Sequence, residues 1–224
     1  MRRRAPPLAA PDSVSDETRW TDTDTDTDTD TDTDDPTLTA YRNSKAVAEQ
    51  AAWQYMRDRK GPTTLATVLP GAVFGPLLDP ANRGSVQVIE RLLRGRMPGT
   101  PRIGFEVVDV RDLADLHVRA MTSPEAAGQR FIAAGEFRWM ADIAQELRAA
   151  LGDAAAQVPM RKLSDFAVRL PACFDPGVRA VAPYLGRRHL HTADKARQTL
   201  TWQPRPAAEA IIDCARSLAA HQVV

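Results

Sequence analysis

The chain has 224 residues, of which 43% are hydrophobic and 26% charged, and its formal net charge is zero. This length suits one modest domain or part of a larger one. Apart from the runs at 2–4 and 187–188, the arginines are scattered singly, and no run of them is interleaved with aromatic residues, which argues against a nucleic-acid-binding protein. Two cysteines, Cys173 and Cys214, fit neither a metal knuckle nor a disulfide-rich secreted scaffold, so we expect reduced thiols in a cytoplasmic protein.

The first part of the chain is acidic. Residues 1–40 hold four arginines against eleven Asp and Glu, whereas residues 41–224 hold 25 basic against 18 acidic residues. Residues 21–34 are Thr-Asp repeated seven times, a tract that cannot bury enough apolar area to offset its ordering entropy. We interpret residues 1–38 as a disordered acidic arm and residues 39–224 as the folded region. An alternative is that the tract binds cations or a basic partner.

No segment has the pattern of a signal peptide or a membrane span. The basic start is followed by an apolar stretch that is short and broken by Pro6 and Pro7. The most apolar later stretch, 65–78, contains two prolines and two glycines and is too short to cross a bilayer. We therefore expect no association with a membrane.

Order is predicted to begin near Thr39, a candidate N-cap for a helix that runs to about Arg59. Residues 63–69 are β-branched and apolar, which predicts a buried parallel strand that stops at Pro70 and Gly71. Strands and helices then alternate: helix 85–94, strand 105–110, helix 112–121 capped by Asp112, strand 130–135, helix 140–151 and a final helix 207–220.

Alternation of strands with helices predicts an α/β fold with a parallel sheet and flanking helices. Only about three strands are visible, so the pattern resembles the C-terminal part of a Rossmann-type sheet. The region from Val158 onward is mainly helical and predicts a small substrate-binding lobe.

Tyr41 and Lys45 are the candidate catalytic pair. They are separated by four residues on a predicted helix, so their side chains project from one face about one turn apart. A tyrosine hydroxyl is a weak acid, and a neighbouring ammonium group favours its phenolate form. Lysine can also donate hydrogen bonds to the ribose of a nicotinamide nucleotide. By composition alone, this spacing also occurs by chance or as a surface pair.

Several segments in order resemble the extended short-chain dehydrogenase/reductases, specifically the dihydroflavonol-4-reductase-like branch of the NAD-dependent epimerase/dehydratase superfamily. The segments that carry the resemblance are Asp16-Glu17-Thr18-Arg19-Trp20-Thr21-Asp22, Tyr41-Arg42-Asn43-Ser44-Lys45, Leu69-Pro70-Gly71-Ala72-Val73-Phe74-Gly75-Pro76, Val108-Asp109-Val110-Arg111-Asp112-Leu113-Ala114 and Leu200-Thr201-Trp202-Gln203-Pro204-Arg205-Pro206. Together they extend over residues 16–224.

The resemblance implies a cofactor, NADP or NAD, and gives each candidate residue a role. Tyr41 is the general acid and base, and Lys45 is the ribose ligand beside it. Pro70 and Gly71 lie near the nicotinamide ring, the backbone at Val73 holds the carboxamide, and Ser85 contacts the cofactor phosphates. A plain turn at the end of a strand would equally account for Pro70 and Gly71.

The sequence also departs from the family pattern. Family members have a Gly-x-x-Gly-x-x-Gly turn that binds the pyrophosphate, and no such motif precedes Tyr41. The family's catalytic serine belongs to the same part, where Ser13 and Ser15 are the only serines and lie in a polar stretch. The resemblance therefore implies an N-terminally truncated reductase with impaired cofactor binding. The Thr-Asp tract falls in a variable loop of the family.

The expected reaction is hydride transfer between NAD(P)H and a small carbonyl or alcohol substrate. One alternative is a nucleotide-sugar epimerase or dehydratase. Another is a non-catalytic remnant, or a subunit that works with a partner chain or as a homo-oligomer. His189 and His191 lack a third ligand nearby in sequence, so no metal site is expected, and His117 is expected to be a packing or surface residue.

Overall fold

The computed structural model describes residues 14–20, 36–81, 84–172, 178 and 182–224. The helices of this part are α1 (Pro36–Asp58), α2 (Gln87–Leu93), α3 (Val110–Thr122), α4 (Met140–Leu151), α5 (Asp165–Ala172), α6 (Asp194–Leu200) and α7 (Ala207–Ala220). The strands are β1 (Val14–Ser15), β2 (Thr67–Pro70), β3 (Ala72–Phe74), β4 (Gly104–Asp109), β5 (Arg130–Ala133), β6 (Phe137–Trp139) and β7 (Leu190–His191).

Short parallel strands form the centre of the fold. β2 pairs in parallel with β5, so that Thr67 lies opposite Arg130 and Pro70 opposite Ala133. β3 pairs in parallel with β4, β4 pairs antiparallel with β6, and β1 pairs in parallel with β7. The α/β class predicted from the sequence is confirmed.

Helices cover this strand layer with two separate apolar clusters. The larger cluster joins Phe74 of β3 to side chains of α2, α4 and α7, and the second joins α3 and α6 to Phe131 of β5. Trp202 is fully buried in the second cluster, and its indole nitrogen donates to the backbone oxygen of Asp112 at 2.8 Å. The central strands read as continuous apolar runs because both of their faces are covered.

Several observed elements differ from the predicted ones. Helix α1 begins at Pro36, three residues before the predicted cap, and proline is favoured in a first helical turn. The strand expected to stop at Pro70 is followed directly by β3, with Gly71 as the only residue between them. Helix α3 is capped by Asp109, whose side chain accepts from the Arg111 amide, and not by Asp112.

Residues 14–20 lie against the fold, although disorder was expected there. β1 pairs with β7, and Glu17 is buried with its carboxylate accepting from the Ile132 amide at 3.0 Å. The rest of the predicted arm up to residue 35, including the Thr-Asp tract, lies outside the described residues. The division of the chain at residue 38 stays a prediction.

One ion pair fixes α1 against the strands. The carboxylate of Glu49 accepts from Arg130 through two bonds, Nε to Oε1 at 2.8 Å and Nη2 to Oε2 at 3.0 Å. Both side chains are largely buried, with 11% and 13% of their surface exposed. The same carboxylate accepts from the Thr67 hydroxyl at 2.6 Å and from the Trp53 indole at 3.2 Å. A bidentate bond in a desolvated position restricts both the rotation and the height of the helix.

Burial works to raise the pKa of Glu49, but the hydrogen bonds from Arg130, Thr67 and Trp53 outweigh it and hold the pKa below its ordinary value of 4.5. A carboxyl whose pKa is depressed on folding stabilises the protein above its unfolded pKa. That contribution is lost as the pH falls through the folded pKa.

We expect Glu49→Ala to lower the free energy of unfolding by about 3 kcal/mol, because it leaves Arg130 buried without its carboxylate. Urea denaturation monitored by tryptophan fluorescence measures the change. The matched control is Asp115→Ala, which removes an exposed pair with Arg119 on α3 and should cost about 0–1 kcal/mol. Equal losses in the two variants would contradict the anchoring role.

The pH dependence provides a second check. The difference in unfolding free energy between the wild type and Glu49→Gln should be constant above about pH 4.5 and should shrink as the pH falls below it. The measurement extends down to about pH 3, which is roughly a unit or more below the ordinary pKa of a glutamate side chain. A difference that does not change over this range would mean that the charge on Glu49 does not stabilise the fold.

Candidate functional site

Tyr41 and Lys45 lie together near the start of α1, as their spacing predicts. The Lys45 ammonium nitrogen is 5.3 Å from the centroid of the Tyr41 ring. Both side chains are exposed, and 60% of the Tyr41 surface is accessible. Ser44 lies on the same turn, and its hydroxyl donates to the Tyr41 backbone oxygen at 2.7 Å. The phenol and the ammonium are therefore available to a bound molecule.

Pro70, Gly71 and Val73 lie where β2 ends and β3 begins. Pro70 is the exposed last residue of β2, whereas Val73 is half-buried and pairs with Val108 of β4. A Cβ atom at Gly71 would lie 2.3 Å from the Glu106 backbone oxygen, so no larger residue fits there without a shift of the chain. Ligands of open α/β sheets bind outside the carboxyl ends of parallel strands, and this turn occupies such a position.

Asp109, the last residue of β4, lies beside Gly75, which directly follows β3. Its carboxylate is fully buried and accepts from Arg111 through Nε at 2.9 Å and Nη2 at 2.8 Å. Burial works to raise the pKa of Asp109, but the bonds from Arg111 and the charge of Arg205 hold it below its ordinary value. Gly75 has a φ of 115° and lies so close that a Cβ there would be 3.1 Å from this carboxylate. The Asp109 carboxylate therefore limits the space available at Gly75.

Ser85 and the two upstream serines have separate positions. Ser85 is half-buried in the 3₁₀ turn Gly84–Val86, which leads into α2 and contacts β3. Ser15 lies in β1, opposite His191 of β7, and Ser13 lies outside the described residues. The structure therefore places Ser85 next to the β3 strand that carries Val73. Its role, like that of Ser15, stays a prediction.

The histidines near the site belong to a segment that the sequence analysis did not connect with Tyr41. The His191 Nδ1 atom lies 2.6 Å from Glu106 Oε2, and the His191 backbone amide donates to Glu106 Oε1 at 2.6 Å. His189 packs edge-on against Tyr184, with 6.4 Å between the ring centroids, and Arg42 lies over the same tyrosine at 4.9 Å. Glu106 and His191, and likewise Arg42 and Tyr184, are far apart in sequence, so spacing could not reveal these contacts.

The remaining candidates lie away from this site. His117 is exposed on α3, with Nδ1 at 2.7 Å from the Leu113 backbone oxygen. Burial raises the pKa of Cys214 to about 12, so its thiol is protonated and unreactive at neutral pH. Cys173 lies outside the described residues. Within the described ranges, no group of three or more His, Cys, Asp or Glu side chains is placed to hold a metal ion.

A cavity of about 320 Å³ lies beside the Glu49 and Arg130 pair. Its lining consists of Trp20, Gln50, Trp53, Arg57, Gly128 and Arg130. Arg130 is the first residue of β5, whereas Pro70 pairs with Ala133 at the other end of that strand. The cavity is therefore separate from the turn at Pro70.

None of the helices in the described part of the chain combines the length and apolar character needed to cross a bilayer.

Known proteins with similar sequences are reductases, and each is matched over part of its length. Cinnamoyl-CoA reductase CAD2 of Medicago truncatula is 33% identical over 119 residues, which cover 53% of this chain and 33% of that protein. Ketoreductase azaE of Aspergillus niger is 37% identical over 139 residues, which cover 58% of this chain and 40% of that protein. The chain thus spans about a third to two fifths of these relatives.

Solved structures share the fold. The yeast methylglyoxal/isovaleraldehyde reductase Gre2, complexed with NADPH, aligns with a TM-score of 0.62 at 23% identity, over 80% of this chain and 55% of that one. Residues 15–134 match the model of the NAD dependent epimerase/dehydratase family. Because this match extends over more than half of the sequence, the chain belongs to the NAD dependent epimerase/dehydratase family.

Proposed function

We propose that Tyr41 and Lys45 form the proton-transfer pair of an NAD(P)-dependent reductase that acts on a small ketone or aldehyde. The observation that carries this proposal is the placement of the Lys45 ammonium 5.3 Å from the Tyr41 ring on an exposed helix face. The family membership and the reductase relatives support it.

The residues at the β2 to β3 turn fit a nicotinamide cofactor. Gly71 lets β3 pass close to the Glu106 backbone, and the exposed Pro70 ring offers an apolar contact for a planar ring. Lys45 is exposed one turn from Tyr41 and can donate hydrogen bonds to the ribose. When bound, the cofactor supplies the hydride.

In this proposal, Tyr41 moves the proton. Its hydroxyl donates a hydrogen bond to the oxygen of the substrate carbonyl and transfers its proton as negative charge develops there. The Lys45 ammonium stabilises the phenolate that is left. In alcohol oxidation the same pair works in reverse, with the phenolate accepting the proton. A serine that polarises the carbonyl is not identified among the described residues.

An epimerase or dehydratase shares this pair and is the alternative enzyme class. Two sequence segments favour the reductase branch: the region around Trp20 and the segment 200–206. Both belong to the segments that carry the resemblance to dihydroflavonol-4-reductases. We therefore retain reduction as the proposed reaction.

A second candidate function is that of a subunit or remnant that lacks activity by itself. Among the described residues, β2 pairs along one edge with β5 and has no strand partner along the other. The sequence also contains no Gly-x-x-Gly-x-x-Gly motif for the cofactor pyrophosphate. Both observations favour a site in which another polypeptide segment completes the cofactor cradle.

We expect this 224-residue chain to bind NADPH or NADH weakly, because Lys45 and the turn at Pro70 reach the nicotinamide half alone. A titration monitored by nicotinamide fluorescence measures the affinity, with Lys45→Ala as the variant that removes the ribose ligand. Micromolar binding by the wild type would contradict the expectation. Micromolar binding that is also unchanged in Lys45→Ala would show that the cofactor binds elsewhere.

The catalytic role is tested in a chimera in which the N-terminal half of a related reductase is fused ahead of Val14. We expect NADPH-dependent carbonyl reduction that falls about a hundredfold or more in Tyr41→Phe, which keeps the ring and removes the proton donor. The loss of NADPH absorbance during its oxidation gives the turnover.

Tyr55→Phe is the matched control for that experiment, because Tyr55 lies on the same helix and is also 60% exposed. It should leave turnover unchanged. An active chimera that is indifferent to Tyr41→Phe would reject the proposed chemistry, whereas a fall in both variants would point to a general effect on α1.

A further inference from the structure

Five basic side chains converge beside the Tyr41 helix: Arg42, Arg187, Arg188, His189 and His191. We refer to them as the basic cluster. All five are exposed, so their polar ends are accessible to a molecule in solution. Arg42 comes from α1, His191 from β7, and the other three from the segment that leads into β7.

Aromatic rings hold the cluster in place. Arg42 lies over the Tyr184 ring at 4.9 Å, and His189 packs edge-on against the same ring. Arg188 lies over the Phe137 ring at 5.1 Å. Stacking on an aromatic face orients a guanidinium while leaving its N–H groups free for a ligand.

The position of the cluster relates it to the candidate site. On one side, Arg42 directly follows Tyr41 on α1. On the other side, His191 is bound to the Glu106 side chain, and the backbone oxygen of Glu106 lies against Gly71. The cluster therefore includes a residue of the helix that carries Tyr41, and it contacts Glu106, which lies next to the turn expected to hold the nicotinamide ring.

Within the described residues, Glu106 is paired with His191 of the cluster, whereas the three arginines of the cluster have no carboxylate partner. Within the part of the chain that the structure describes, no carboxylate forms an ion pair with Arg42, Arg187 or Arg188. Glu106 is the carboxylate at this place, and both of its oxygens are engaged by His191. By contrast, the arginines packed around α3 are held by several carboxylates.

The pKa of His189 responds to the positive charges around it. Burial of its ring lowers the pKa of His189, and the charges of Arg42, Arg187 and His191 lower it further, while Glu106 acts in the opposite direction. An anion bound in the cluster would favour the imidazolium form and raise this pKa.

We propose that the basic cluster binds an anionic group, a phosphate or a carboxylate, on the molecule that Tyr41 reduces. This proposal rests on the proposed function, which places the substrate at Tyr41. Guanidinium groups bind the oxygens of phosphate and carboxylate through paired N–H bonds, and the unpaired arginines here have no competing partner among the described residues. The substrate would be a carbonyl compound with a charged tail.

Histidine NMR of the full chain tests the proposal without cofactor or turnover, so an inactive chain does not affect the result. The pKa of His189 is measured by pH titration in sodium chloride, inorganic pyrophosphate or succinate at equal ionic strength. His117 and His221, which bind backbone oxygens elsewhere, are internal references. We expect the pKa of His189 to rise in pyrophosphate, succinate or both, and the reference values to stay constant.

The two ligand arms separate the sources of the charge. A rise in pyrophosphate alone indicates a substrate with a phosphate group, and a rise in succinate alone indicates a carboxylate. No rise in either anion relative to chloride would overturn the proposal, as would an equal rise at His117 and His221.

The double variant Arg187→Ala/Arg188→Ala should raise the pKa of His189 before any anion is added and should abolish most of the further rise. The matched control, Arg91→Ala/Arg96→Ala, removes two exposed arginines near α2 and should leave the titration unchanged. Arg42→Gln provides an independent variant on α1 with the same expected loss of response. An undiminished response in both cluster variants would also overturn the proposal.

Discussion

The bidentate bond between Glu49 and Arg130 restricts the rotation of α1 and hence the direction in which Tyr41 and Lys45 point. Tyr41, Lys45 and Glu49 lie at successive intervals of four residues, so their side chains drift by roughly 40° from one to the next around the helix. Glu49 is fixed against β5 at the inner end of this stripe. Tyr41 is consequently turned outward at the other end, where 60% of its surface is exposed.

The same arginine also secures the first described segment. Its Nη1 atom donates to the backbone oxygens of Glu17 at 2.5 Å and Arg19 at 3.1 Å, while its guanidinium stacks on Trp20. One buried cation therefore joins three parts of the chain, namely residues 14–20, α1 and β5. Buried ion pairs are costly to desolvate and are often neutral in stability against apolar replacements, but they define geometry because few arrangements satisfy all their donors. The position of Tyr41 follows from that geometry.

Local patterns in the sequence predicted those parts of the fold that depend on neighbouring residues. The helix with Tyr41 and Lys45 and the tight turn at Gly71 are specified by nearby helix formers, proline and glycine. β1, β6 and β7 were not predicted, because strands of two or three residues are too short to show a periodicity. The cap of α3 was placed at Asp112, although Asp109 fills that role. Both are acidic, and Asp112 instead binds Arg205, which lies 93 residues further along the chain.

In the site, too, only relations between residues close in sequence could be predicted. Tyr41 and Lys45 could be recognised because their relation lies within one helical turn. Glu106 and His191 are 85 residues apart, and Arg42 meets Tyr184 only after the chain has folded. No spacing rule links such residues, so the basic cluster could be found only from the packed structure.

The arginines packed around α3 and those beside α1 differ in their partners. Around α3, Arg111 binds Asp109 and Asp213, and Arg205 binds Asp112, so each guanidinium there has fixed carboxylate partners. Such a network stabilises the packing of α3 on α7 and leaves no charge for a ligand. Beside α1, exposed guanidinium groups are oriented by aromatic rings, and no carboxylate of the described residues pairs with them. Like charges held close together do not stabilise a fold, and an anion bound between them, as proposed above, would offset their repulsion.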